Sequence, residues 1–508
     1  MKRTETKYGA EARESLKSGV DQVANAVKHT LGARGRNAVY KQYNAPVVTN
    51  DGISIAWQIK PKDEYEYLGA ELVKQASEET NYEAGDGTTS TAIVAQALVE
   101  RGLEEVEDGY NPMVLRREME DAQKLAIAKL EELKRDDFDL FDVAKVSVEN
   151  EEVARIVADV VEEVGTDGVV LVEESPGTEI KVETVRGYAY PKGFFSPYMA
   201  TNNNGEAILE EVPILIVEGT LSLNTELVGL AGELAEKGEK KLVVIADKVE
   251  GDLLKTIVMN KAQGYFTVIA TGRPDSVEGM EDLAALVGAE AVTQVKDIKD
   301  FKAEHCGRAQ KAIITKDRTI IVGEENDRVA KRIEEVTNAL ENSDGKYGEV
   351  EDLRDRLARL VGGIAKIKVG AATAAEQTYL KMKIDDAVGA TRAAMAEGVV
   401  AGGGTTYRDI ARALDGKTKG EQLLAHSLSQ PFLQLMKNAG IEDYDSTKCY
   451  DVYTGEEIDD MCKAGIIDPA KVIRCVIKNA VSTAKTLLTT EVAVIELPEA
   501  DSKERGQN

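Results

Sequence analysis

The residues Gly85-Asp86-Gly87-Thr88-Thr89-Ser90 run straight into the apolar stretch Ala92 to Leu98. They have the composition of a glycine-hinged loop that opens a helix. Free backbone N–H groups and the positive end of the helix dipole attract phosphate there. Gly85 and Gly87 would let the backbone approach closely, Thr88, Thr89 and Ser90 add hydroxyl donors, and Asp86 could hold Mg²⁺ bridging phosphate oxygens. The same residues also suit an ordinary capped helix, because Asp and Thr are good N-caps. Thr30-Leu31-Gly32-Ala33 is a glycine turn after a helix, able to touch a ligand through its backbone or to be a routine C-terminal stop. Gly402-Gly403-Gly404 fits a nucleotide cradle or a flexible linker. Asp385-Asp386 is an acidic pair inside a helical stretch, either a solvated face or, in one member, a general base that orients water. Gly416-Lys417-Thr418 imitates the end of a phosphate-binding P-loop. The glycine needed five residues earlier is Ala411, and no strand precedes it, so that reading is rejected.

The elements that must position these residues are legible in the pattern. Leu16, Val20, Val23 and Val27 fall on one helical face and end at the Gly32 turn. Two short strands, Ala38 to Lys41 and Val47 to Thr49, precede the turn signal Asn50-Asp51-Gly52. Helices are expected over Tyr67 to Asn81, Pro112 to Lys134, Glu351 to Leu360, Ala375 to Ala396 and Pro469 to Leu488, with a closing strand at Val492 to Ile495. Between them, strands 213–217, 242–246 and 266–270 alternate with helices 226–237 and 252–263. That alternation predicts an α/β domain with parallel strands, and the nearly continuous apolar strands predict cover on both faces.

The chain has 508 residues, 90 acidic against 63 basic, and a net charge of −27. At roughly 150 residues per domain the length suggests about three domains. The acidic excess argues against nucleic acid and against an anionic membrane as the main partner. Four cysteines without C-x-x-C spacing point to free thiols in a reducing compartment, and three scattered histidines exclude a His-rich zinc site. No secretory leader and no membrane-length apolar run are evident, so a cytoplasmic location is expected.

Taken in order, Thr30-Leu31-Gly32, Asp51-Gly52, Gly85-Asp86-Gly87-Thr88-Thr89, Phe195-Ser196-Pro197-Tyr198, Lys368-Val369-Gly370-Ala371-Ala372-Thr373, Ala390-Thr391-Arg392-Ala393-Ala394, Glu397 to Gly404 and Ile467-Asp468-Pro469 resemble the group I chaperonins, the bacterial GroEL-like class. Any one motif is weak, but their joint order is specific and extends from about Thr6 to Leu497. The resemblance implies a multi-domain α+β, ring-forming fold. A mostly helical equatorial domain would span 1–133 and 397–508, an intermediate domain 134–186 and 365–396, and an α/β apical domain 187–364. Gly187, Gly363 and Gly398 would be hinges.

The same resemblance implies an ATPase coupled to protein folding. Thr30, Leu31, Gly32, Ala33, Asp86, Gly87, Thr88, Thr89, Ser90, Gly403 and Asp468 would contact ATP. Asp86 would bind Mg²⁺, and K⁺ is a further cofactor the family allows. Asp386 would orient the attacking water, with Asp51 assisting. Phe194, Tyr198, Met199, Leu254, Val258 and Met259 would capture non-native polypeptides, although core packing is an alternative, above all for Val258. The expected assembly is a ring of seven subunits, single or double, with a separate co-chaperonin as lid. A group II chaperonin with a built-in lid is disfavoured, since the apical stretch has no obvious extra helical protrusion.

Several positions depart from the family pattern. Ala33 replaces a proline, Asn50 a phosphate-side lysine and Ala396 an acidic residue, and the segment 146–150 is short. These mark a distant member, as from a reduced or viral genome. They also keep open a ring-forming holdase or scaffold with little ATP turnover, and a chaperonin that works without a separate lid.

Overall fold

The computed structural model describes residues 4–42, 45–148, 150–165, 169–202, 205–223, 227–290, 301–324, 326–341 and 363–496, with 353, 356–357 and 359–360. The expected helix 351–360 and the polar tail 501–508 lie largely or wholly outside them. The chain forms two compact units, one of residues 1–166, 172–181 and 368–508, the other of 167–171 and 182–367. The second corresponds closely to the stretch expected to be apical. The first contains the stretches expected to be equatorial and most of those expected to be intermediate, while 167–171, 182–186 and 365–367 fall in the second.

The first unit is built on helices. Helix Gly9–Val27 buries the expected face, Leu16, Val20, Val23 and Val27. It crosses helix Glu64–Ala84 at Gly19 and Gly69, where a Cβ would fall 1.8 Å from Glu66 O and 1.9 Å from Leu16 O, respectively. Only glycine permits backbones this close. Helices Thr88–Glu107, Pro112–Leu133, Thr405–Ala413, Lys419–Leu428 and Ala470–Leu488 complete the core around Leu98, Leu115, Met119, Leu130, Leu424 and Ile473. Strand Thr4–Tyr8 pairs antiparallel with Val492–Glu496, and Ala38–Gln42 with Ala45–Thr49.

A subsidiary cluster forms where helix Ala374–Glu397 packs against Leu140–Val148 and Glu151–Val164. Val143, Ala390, Ala394, Val399 and Ile467 are its buried residues. Most of the shortened segment at 146–150 is therefore the end of a helix and the Asn150 cap of the next.

The second unit centres on a mixed sheet. Strands Thr267–Gly272, Lys241–Ala246 and Ala207–Ile216 are parallel neighbours, as the strand–helix alternation predicts. The expectation of a parallel sheet fails beyond them. Gly307–Ile314 joins Ala207–Ile216 antiparallel, Thr319–Val322 follows it, and Lys181–Tyr190 pairs with that strand, both antiparallel. The physical reason is the connection: only four residues separate 307–314 from 319–322, enough for a hairpin and far too few for a parallel crossover. Strands Gly363–Val369 and Val169–Glu174 complete the order. Helices Val228–Glu236, Gly251–Ala262 and Val277–Val287 contribute Leu230, Leu234, Leu253, Ile257, Leu283 and Leu286 to the core around Leu215, Val243 and Ile269. Among the described residues no helix is long and apolar enough to cross a membrane.

Candidate functional site

Helix Glu64–Ala84 ends at Gly85, whose φ of +73° puts it in the left-handed region and whose N–H donates to Asn81 O at 2.7 Å. Gly87, at φ +96°, then starts helix Thr88–Glu107. A Cβ at Gly87 would meet Val472 Cγ1 at 2.8 Å, so helix Ala470–Leu488 forms the floor beneath the turn. A buried polar chain fixes the arrangement: Thr91 Oγ1 lies 3.0 Å from Gly87 O and 2.9 Å from Thr80 Oγ1, sharing its one proton between them, and Asn479 Nδ2 donates to Thr80 Oγ1 at 3.0 Å. Thr88 is buried, whereas Thr89 and Ser90 are half-buried.

Asp51 caps helix Gly52–Gln58, its two oxygens accepting from Ile53 N at 3.2 Å and Ser54 N at 3.0 Å. This turn sits on the start of helix Thr88–Glu107, since a Cβ at Gly52 would lie 2.2 Å from Thr89 Oγ1. Thr30 is spoken for locally, donating to Val27 O at 2.8 Å. Gly32 has φ +82°, and a Cβ there would strike Leu435 Cδ2 at 2.2 Å. The same leucine borders Gly404, where a Cβ would lie 3.2 Å from its Cδ1. One side chain thus brings the 30–33 and 402–404 turns together.

The three glycines are a packed turn and not a linker. Gly403 and Gly404 have φ of +63° and +72°, and a Cβ on Gly402 would lie 3.1 Å from Asp468 Oδ1. Asp468 itself is held by the pairing of Val399–Ala401 with Ile467–Pro469, opposite Val400.

Helix Ala374–Glu397 brings Asp386 to this place. Thr373 caps it, accepting from Glu376 N at 3.2 Å. Gly389 lies against Gly85, and a Cβ on it would sit 2.6 Å from Gly85 Cα. Two helical turns earlier, Met382 Sδ accepts from Ser54 Oγ at 3.8 Å and Thr49 Oγ1 at 4.0 Å. Asp386 lies between these two anchors on the same helical face.

Electrostatics shows how closely the carboxylates gather. Desolvation raises Asp386 well above the ordinary carboxylate range, and the charges of Asp86, Asp51 and Asp385 add to it while Lys383 opposes. Asp86 is raised by desolvation and by Asp51, against the Gly87 N–H and Lys383. Burial, with the Asp86 charge, pushes Asp468 to about 7. Tyr407 is driven well above its usual value by burial, then by Asp468 and Asp86, while a hydrogen bond with Ser90 opposes. Asp86 is thus the hub of a carboxylate cluster at the positive end of a helix. Such a cluster is stable only with protons or cations among its members.

Lys383, Gly389, Leu435 and Tyr407 belong to this site, and motif reading overlooks them. A glycine inside a helix does signal a close approach, because it is disfavoured there by about 1 kcal/mol relative to alanine. Lys383 stands three residues before Asp386, the spacing of helical neighbours.

The expected capture residues divide. Tyr198 and Met259 are 76% and 58% exposed, Phe194 and Leu254 are partly buried against the core, and Val258 is half-buried. Met199 is corrected: it is fully buried, with its sulfur 3.4 Å from Ala270 N, because its short 3₁₀ turn aims it back into the sheet. Gly187 lies in strand Lys181–Tyr190, where a Cβ would meet Ile364 Cδ1 at 1.9 Å. Gly363 begins strand Gly363–Val369. Gly398 ends the Asp386 helix at φ +75°.

The chain is similar to the chaperonin gp146 from the bacteriophage EL 2 (Pseudomonas aeruginosa), crystallised in the presence of ATP-BeFx. In crystal form I the TM-score is 0.62 at 21% identity, over 97% of this chain and 99% of that one. In crystal form II the TM-score is 0.64 at the same identity and coverage. Residues 23–497 match the TCP-1/cpn60 chaperonin family, so the match takes in every turn and helix of the carboxylate cluster, and the chain belongs to that family as a divergent member.

Proposed function

We propose that this chaperonin hydrolyses ATP at the Asp86 cluster and couples the reaction to capture and encapsulation of non-native polypeptides in a ring cavity. The observation that carries the reading is the gathering of Asp51, Asp86, Asp386 and Asp468 around one helix N-terminus. The triphosphate would lie over the Gly85–Ser90 turn, held by backbone N–H groups and the Thr89 and Ser90 hydroxyls. Asp468, Gly403 and the 30–33 turn would receive the adenosine end.

Among the described residues no three His, Cys, Asp or Glu side chains form a ready metal cage. That suits Mg²⁺, which takes one or two carboxylates and completes its shell with water and phosphate oxygens. Asp86 would be its protein ligand, and the ion would neutralise charge on the phosphates. K⁺ would be a second, weaker cation of the same site. Asp386 would orient and deprotonate the attacking water, since desolvation and the neighbouring carboxylates strengthen its hold on a proton. Asp51, fixed by its two backbone donors, would assist.

Tyr198 and Met259 offer exposed apolar surface on the second unit for client capture. The ring would have seven subunits, single or double, with a separate co-chaperonin lid of the group I kind. The three-domain division and the hinges at Gly187, Gly363 and Gly398 would let hydrolysis and closure proceed together.

The test is steady-state ATP turnover of the purified ring against Asp386→Ala, with refolding of a denatured client measured in the same samples. The expected loss is about 10²–10⁴-fold in turnover, the range for a general base. Equal turnover in both proteins would refute the role of Asp386. Client capture by a wild-type ring that hydrolyses no ATP would identify a holdase instead, the reading that Asn50 favours.

A further inference from the structure

The segments set around the triphosphate are 30–33, 49–52, 85–90 and 402–404, and none contains a lysine or arginine. The nearest following cation, Arg34, is engaged elsewhere: its guanidinium donates to Tyr453 O at 3.0 Å and to Ala439 O at 3.1 Å. Phosphoryl transfer spreads negative charge over the equatorial oxygens of the moving group. Enzymes meet that charge with a metal ion and at least one positioned cationic side chain. The turns of this site cannot supply that side chain.

The helix that carries Asp386 can. Lys383 lies three residues before Asp386 and one after Met382, the residue that touches Thr49 and Ser54. Gly389, six residues further on, fixes the same helix against Gly85. Lys383 is half-buried, and its charge acts on both Asp86 and Asp386. On this doubly anchored helix, three residues from Asp386, its charge acts beside both the expected metal ligand and the expected base.

We propose that Lys383 is the cationic phosphate ligand of this ATPase, delivered to the terminal phosphoryl group by the same helix that delivers Asp386. Its ammonium then stabilises charge developing on the transferred phosphoryl oxygens while Asp386 takes the proton of the attacking water. Without nucleotide, the same ammonium sits among the carboxylates as their counter-ion. The assignment rests on the ATPase reading above. It adds that base and cation arrive together, so that neither acts on ATP unless the helix is seated.

The experiment compares ATP turnover and ADP binding of the assembled wild-type ring with Lys383→Gln and Lys383→Arg. ADP lacks the terminal phosphoryl group, so its affinity should stay within about threefold in both variants, while turnover of K383Q should fall on the order of 10²–10³-fold, as for loss of one positioned charge donor. K383R keeps the charge and should retain turnover within about tenfold of wild type; it also keeps the test decisive if the glutamine variant does not assemble. Turnover of K383Q within threefold of wild type would overturn the assignment. So would a K383R ring that binds ADP normally but is as inactive as D386A, because shape and not charge would then be what position 383 supplies. A wild-type ring with no turnover at all would instead remove the ATPase reading on which the assignment stands.

Discussion

The contact between Gly85 and Gly389 makes the seating of the Asp386 helix measurable. In Gly389→Ala the new Cβ would lie 2.6 Å from Gly85 Cα and 2.7 Å from Gly85 O. Carbon atoms rest at about 3.5–4.0 Å, so the helix must retreat by about 1 Å or the turn must yield by as much. Gly85 cannot yield freely, because its left-handed φ of +73° and its N–H bond to Asn81 O close the preceding helix. Alanine by itself favours the helix by about 1 kcal/mol, whereas overpacking a close contact opposes it by about 1–3 kcal/mol. The protein should therefore fold with nearly wild-type stability. The consequence should appear in rate, since a displacement of about 1 Å in a catalytic group lowers turnover by about 10²-fold. The assay is single-turnover ATP hydrolysis beside equilibrium ADP binding and thermal unfolding. Expected are turnover reduced by about 10²-fold, ADP affinity unchanged within a few-fold, and Tm within a few degrees. Wild-type turnover in G389A would refute the claim that this contact sets the position of Asp386.

Other consequences are independent of that contact. Asp468 is held near 7 by burial and by Asp86, with the Tyr407 phenol also facing it, so the folded protein binds a proton there that the unfolded chain releases above about 4. The stabilising effect of that proton is complete below the unfolded value and is lost as pH rises toward 7, so nucleotide-free protein should lose Tm across that window, and Asp468→Asn should flatten the loss. A slope unchanged in D468N would refute the assignment. In the second unit, Asp282 is fully buried, receiving Arg332 Nε at 2.6 Å and Arg356 Nε at 2.9 Å. Asp282→Ala removes both Arg356 bonds to this carboxylate, while Arg332 keeps Glu281 and Glu335, and should lower unfolding free energy by about 1–3 kcal/mol in urea titration; no measurable loss would show the pairs to be incidental. The double variant Tyr198→Ser/Met259→Ser should weaken capture of a denatured client without changing basal ATP turnover, whereas Met199→Leu, in the core, should leave capture within about twofold. Reversal of those two effects in a co-sedimentation assay would return Met199 to the capture surface.

Local pattern carried much of the architecture. The face Leu16, Val20, Val23, Val27, the helix through 375–396 and the strands near 213–217, 242–246 and 266–270 follow from periodicity and apolar run length, which are properties of neighbouring residues. The antiparallel half of the sheet left no local pattern, because strand 307–314 pairs with 207–216 and strand 319–322 with 181–190, segments distant in sequence. Within the site, Asp86 and Asp386 were recognisable by motif. Gly389 and Lys383 were not, because their meaning lies in what stands opposite them.

What the sequence determined by itself is the inventory: the acidic balance, the glycine turns at 32, 85–87 and 402–404, the helix-borne Asp386 and the order of motifs. Which carboxylates meet was decided only by the tertiary structure. Asp51, Asp86, Asp386 and Asp468 are hundreds of residues apart at the extremes, yet each is raised, or raises a neighbour, because glycine contacts at 52, 85, 389 and 402 bring four backbones to one helix end. In the second unit, packing against the sheet buries Met199 while Tyr198 stays in solvent. Composition and spacing fix what a side chain can do. Burial and the neighbouring charges, which exist only once distant segments pack, fix what it does.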